Sequence, residues 1–116
     1  MIKVKAEFLY NTIMKGFLGT TIAPFILYNS SSLNKRSEEK QTEFWNHETT
    51  HIKQQYELFI IGFYVLYLYY YLKNLKNGMS KRDAYRNIPF ELEANDHENN
   101  SKYNNTRKKN AWKLYI

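Results

Sequence analysis

Two histidines four residues apart, His47 and His51, enclose a glutamate at position 48 in the stretch HETTH. On a helix, residues i and i+4 stand one turn above the other, so both imidazoles can reach one tetrahedral ion. Glu48 follows the first histidine by a single residue, about 100° round the helix. That offset sets a carboxylate beside the ion, placed to take a proton from water and badly placed to ligate. Two imidazoles alone hold a divalent ion weakly, and a catalytic site ordinarily uses three protein groups. The chain has no cysteine, so the third must be His, Asp or Glu. PFELEAN, residues 89 to 95, offers Glu91 and Glu93. These point to different faces of a helix, so at most one faces the ion while its neighbour does something else.

The elements that must carry these residues can be read from capping and breaking signals. Ser37 before Glu38 and Glu39 predicts a helix start with acids at the positive end of the dipole. From there to Lys76 only Gly62 interrupts a helical pattern, and Asn77-Gly78 supplies the stop. A run of that length is expected to be kinked or divided. Gly62, about three turns beyond His51, either admits a close neighbour or is a tolerated defect. Ser80 with Asp83 predicts a capped short helix through Arg86, and Pro89 a further helix from 89 to about 96. Upstream, residues 4 to 16 predict a short helix through Val4, Phe8 and Ile13 that ends at Gly16. TIAPFILYN, 21 to 29, reads as an edge or irregular strand rather than a central one, because Pro24 cannot donate to a ladder. SSSLNKRS, 30 to 37, reads as a loop. The asparagine-rich piece from 95 to 110 is poorly organised by pattern, and 111 to 116 is expected to dock as a terminal turn or strand.

At 116 residues the chain suits one domain, 1-116, with one modest core. The expected fold class is mainly α, α+β, with a short edge strand or hairpin. The formal charge of +6 is concentrated at the end. Residues 1 to 98 carry twelve basic and eleven acidic side chains, and 99-116 carry five basic and none acidic. That basic C-terminal segment is expected to be a solvated and partly ordered end rather than an anion-binding patch for nucleic acid or membrane. The longest apolar run, LFIIGFYVLYLYYYL at 58 to 72, has five tyrosines and falls short of a spanning helix. Core packing is the main expectation for it, with peripheral membrane contact as the alternative. Residues 1 to 18 lack the apolar core of a signal peptide, so a cytoplasmic location is expected.

WNHETTHIKQQYEL, then an aromatic helix, then AYRNIPFELEAN, resembles the small zincin-type, gluzincin-like metallopeptidase-like proteins whose third zinc ligand is a glutamate. The likeness spans most of residues 17 to 107 and includes a Q-Q turn at Gln54 and Gln55. It implies a minimal zincin-like helical core, Zn2+ held by His47, His51 and Glu91, and Glu48 as general base. It further implies hydrolysis of a peptide bond in a peptide or protein substrate by water that the metal polarises. The gluzincin pattern has an aspartate four residues after the ligating glutamate, steadying a histidine; here Asn95 stands there, and weaker support for that ring is expected. In larger zincins the substrate lies along an exposed strand edge, a part that 21 to 29 would play, with Pro24 interrupting the pairing. Tyr85, Arg86, Tyr103 and Arg107 are the donors available to an oxyanion, or else staples between short helices. The rival readings are a non-catalytic protein that keeps zinc for stability and a helical protein that works at a membrane surface.

Overall fold

The computed structural model describes residues 1–12 and 18–116, the side chains of residues 11 and 12 excepted. Strands β1 (Ile2–Lys5), β2 (Gly19–Ile22) and β3 (Phe25–Tyr28) form one sheet in the order β1-β3-β2. The opening segment thus differs from the expected helix. IKVK alternates apolar and charged residues with the period of a strand, and Val4 pairs parallel with Leu27. Helix α1 (Glu7–Thr12) begins only afterwards. The expected end at Gly16, with Ile13, lies outside the described residues.

TIAPFILYN is a hairpin rather than one strand. Its turn runs through a cis Ala23–Pro24 peptide, where a missing N–H interrupts no ladder. β3 is therefore central, and β2 is the edge that faces the helices. SSSLN is also ordered, as α2 (Ser30–Asn34), because the Asn29 side chain caps it by accepting from Ser32 N–H at 3.3 Å.

Helix α3 (Glu38–Glu57) starts at Ser37, whose hydroxyl accepts from Lys40 N–H at 3.2 Å, as the sequence predicts. The long helical run is divided: α4 (Ile61–Lys76) leaves α3 at 110°. The break is made by Phe59 and Ile60, at φ 56° and 63°. Left-handed backbone costs a bulky side chain on the order of 1–3 kcal/mol. Ile60 recovers part of it by packing against the sheet-side core. Gly62 has no role in admitting a second segment, since a Cβ there would meet only Leu58 Cβ at 3.4 Å.

Short helices follow as expected: α5 (Lys81–Arg86), capped by Ser80, and α6 (Pro89–His97), with proline in its first turn. The asparagine-rich stretch contributes α7 (Tyr103–Thr106), and the chain closes with a 3-10 turn at Ala111–Tyr115. The basic end is tied down. Trp112 is buried with its ring 4.7 Å from Phe90, and burial of each such ring stabilises by roughly 2–3 kcal/mol. Two apolar clusters result, Ala23, Ile26, Leu33, Phe44 and Ile52 on the sheet side and Phe63, Ile88, Phe90 and Trp112 on the other. His51 and Glu48 project from α3 between them. The whole is mainly α with a small sheet, an α+β fold.

Candidate metal centre

Helix α3 sets His47 above His51, and α6 crosses it so that Glu91 points at both. Glu91 Oε1 lies 3.1 Å from His47 Nε2 and 3.2 Å from His51 Nε2, and the two Nε2 atoms are 3.1 Å apart. The three side chains form a group able to hold a metal ion. Ligand atoms at zinc bond lengths and the tetrahedral angle stand about 3.3 Å apart, so the triangle already has the size an ion requires.

The tautomers sharpen this. Gln54 Nε2 donates to Phe90 O at 3.0 Å and to Glu93 Oε1 at 2.9 Å, so its oxygen must face His51 Nδ1, 2.8 Å away. A carbonyl oxygen only accepts, so Nδ1 carries the proton and the neutral ring turns a lone pair inward from Nε2. His47 is fixed the same way by Glu98, whose Oε2 accepts from Nδ1 at 2.9 Å. With both rings neutral, three acceptors would face one another, an arrangement relieved either by a proton on an Nε2 atom or by a cation at their centre.

The charges agree. Burial pulls the His47 pKa down, yet hydrogen bonds to Glu91 and Glu98 outweigh it and lift it to about 10. His51 is raised against the same burial by the Glu91 carboxylate. Glu91 is held well below the usual carboxylate range: burial opposes that, and His51 and His47 overcome it. Tyr67 steadies the far oxygen of Glu91, donating at 2.7 Å to Oε2. Burial and then the Glu91 charge push the Tyr67 phenol up, which keeps it a donor.

Glu48 lines the same cleft, about 220 Å³ in volume, and accepts a hydrogen bond from the Thr21 hydroxyl on β2. That contact joins sheet to site. Thr21 C=O in turn accepts from Gln55 Nε2 at 2.9 Å and Tyr64 OH at 2.5 Å, so this residue turns its backbone outward from β3. By the two-residue repeat of a strand, Gly19 turns the same way and presents an open backbone edge to the cleft. A side chain at Gly19 would collide with the Phe44 ring.

The remaining candidates divide. Glu93 is fully buried and turns away from the ion site, accepting from Arg107 Nε at 2.6 Å and from Tyr103 OH at 2.5 Å. Tyr103 and Arg107 are therefore staples and not oxyanion donors. Arg86 is exposed, and only Tyr85 of the four lines the cleft. Asn95 is exposed as well, so the expected loss of histidine support is corrected: Glu98 supplies the carboxylate, held in place by Asn46 Nδ2 donating to its backbone oxygen at 2.9 Å. Glu98 and Tyr67 are missing from the sequence-based set. The signal for Glu98 was spacing, seven residues or two turns beyond Glu91. Gln54 and Gln55 belong to the last turns of α3, not to a turn after it.

Replacing Glu98 by Gln should weaken metal binding by about 10–100-fold, the usual cost of losing a carboxylate behind a ligating imidazole. Competition with a chromophoric chelator measures it. Asn95→Asp, by contrast, should change affinity little.

No family model matches the chain, and no curated protein or solved structure matches it. The centre stands on its own geometry.

Proposed function

We propose that the protein is a zinc-dependent hydrolase of peptide bonds, with His47, His51 and Glu91 as the metal ligands and Glu48 as the general base. The observation that carries this reading is the meeting of two imidazole nitrogens and one carboxylate oxygen, 3.1–3.2 Å apart, beside a second carboxylate, Glu48, that is held from the sheet. Two imidazoles and one carboxylate form a ligand set of catalytic zinc. When bound, the ion supplies Lewis-acid polarisation of water and of the scissile carbonyl.

Everything else falls to the chain's own groups. A Glu48 carboxylate oxygen takes the proton of the attacking water and returns it to the leaving amine, acting as base and then acid. Thr21, donating to the Oε2 atom of that carboxylate, holds the side chain at the cleft wall. Gly19 offers backbone groups to an extended peptide laid along the start of β2; Pro24 lies in the turn, and the pairing stops at Thr21, whose carbonyl is taken by Gln55 and Tyr64. Tyr85 is the side chain placed to donate to a developing oxyanion.

Metal content of protein purified without added zinc tests the ligand set. The wild-type chain and Glu93→Gln should each carry one equivalent, and Glu91→Ala none. Uptake by the stripped protein should release protons near neutral pH, because His47 is lifted to about 10 and must lose its proton to ligate. Equal retention by Glu91→Ala and the wild type would remove the site as drawn.

A further inference from the structure

Helix α4 is buried on one side only. Phe63 lies in the core, while Ile61, Val65, Leu68 and Leu72 are 75%, 62%, 57% and 53% exposed. Their spacing of four, three and four residues puts them on one stripe of the helix. Phe59, 90% exposed, extends that stripe at the bend with α3, thrown outward by the left-handed turn it shares with Ile60. Half-exposed Tyr64 and Tyr69 flank it. Contiguous apolar surface of this kind marks a contact surface.

Charge selects the occupant. From residue 58 to residue 82 the chain has no acidic side chain, while Lys73, Lys76, Lys81 and Arg82 lie along it. Lys73 and Lys76 border the stripe beside Tyr69 and Leu72, and Lys81 and Arg82 border a neighbouring apolar groove of about 620 Å³ with Leu68 and Tyr71. A second copy seated on the same face would set this surface against itself and bring cations towards cations. A lipid surface with anionic headgroups complements all of it at once: acyl chains for the stripe, the polar boundary for tyrosine hydroxyls, phosphates and carboxylates for the cations. At sixteen residues α4 is about 24 Å long, short of a hydrocarbon core. None of the described helices is long and apolar enough alone to cross a membrane.

We propose that α4 docks the protein in the plane of an anionic membrane surface through Phe59, Ile61, Val65, Leu68 and Leu72, with Lys73, Lys76, Lys81 and Arg82 on the headgroups. The docking is independent of the metal centre. It also has a consequence for it, since Tyr64 borders both the stripe and the cleft, bringing the cleft mouth to the lipid surface.

Co-sedimentation of the full chain with phosphatidylcholine vesicles, with and without phosphatidylserine, tests this directly. Retention is expected on the phosphatidylserine vesicles and should fall as salt is raised. Val65→Asp combined with Leu72→Asp, both at exposed positions, should lower it on the order of tenfold or more, and Lys73→Ser with Lys76→Ser should do likewise. Phe59→Trp gives a second readout, a blue shift and quenching by brominated lipid in its difference emission. Absence of retention on anionic vesicles, or retention unchanged in both double variants, overturns the proposal. So does a wild-type dimer that Val65→Asp with Leu72→Asp converts to monomer, because the face would then belong to a second copy.

Discussion

Glu48→Gln should lower hydrolysis of casein-derived peptides by about two to four orders of magnitude, the span that a positioned general base contributes, while leaving one equivalent of metal in place. The substitution keeps the shape of the side chain and an oxygen to accept from the Thr21 hydroxyl, so the junction between β2 and α3 survives. What it removes is the ability to take a proton. The ligand triangle of His47, His51 and Glu91 contains no atom of residue 48, so zinc content should not follow activity down. This separates peptidase from zinc-stabilised scaffold: for the scaffold, a Glu48→Gln protein is indistinguishable from the wild type in every assay. The measurement is initial rate by release of free amines, with metal content determined on the same samples. A loss of less than about tenfold would leave Glu48 as an ordinary buried carboxylate.

Those parts of the centre that are periodic in the chain were readable before the fold was known. Spacing of four on a helix fixed the histidine pair, and Ser37, Ser80 and Pro89 marked the helix starts that the structure has. Spacing alone left Glu91 and Glu93 open, because only the angle at which α6 crosses α3 decides which carboxylate meets the imidazoles. Glu98 is hidden for a related reason: it caps α6 at its C-terminus, one turn beyond Asn95, the position that the family pattern gives to the supporting acid. Pro24 left the choice between an edge strand and a hairpin open, because it suits either until β2 and β3 are seen pairing on its two sides. Nothing in LFII announces the left-handed pair Phe59–Ile60, since neither residue favours that backbone; packing of Ile60 on the sheet-side core and the meeting of α4 with α6 impose it.

The basic tail shows most clearly how charge counting and structure part company. By count Arg107 belongs to a solvated cationic end; in the fold its side chain is 3% exposed and grips Glu93 and Glu57. Nε and Nη2 donate to Glu93 at 2.6 and 2.9 Å, and Nη1 and Nη2 donate to Glu57 at 2.8 and 3.0 Å. Arg107→Met should therefore cost about 3–5 kcal/mol, because it strands the buried Glu93 carboxylate, and the partly buried Glu57 with it, without a counter-charge. That is a large part of the 5–15 kcal/mol, roughly, that holds a small domain together. Arg107→Lys should recover only part of it, since an ammonium cannot span two carboxylates with paired donors. Urea unfolding of the metal-free protein gives the cost as a lower midpoint at unchanged slope. The same variant should bind metal more weakly even where it stays folded. Glu93 holds Gln54, Gln54 fixes the His51 tautomer, and so a cation on the C-terminal segment sets which way an imidazole lone pair points some fifty residues upstream. Should the midpoint shift correspond to less than about 1 kcal/mol, the value of an exposed pair, Arg107 is not the buried anchor of this relay.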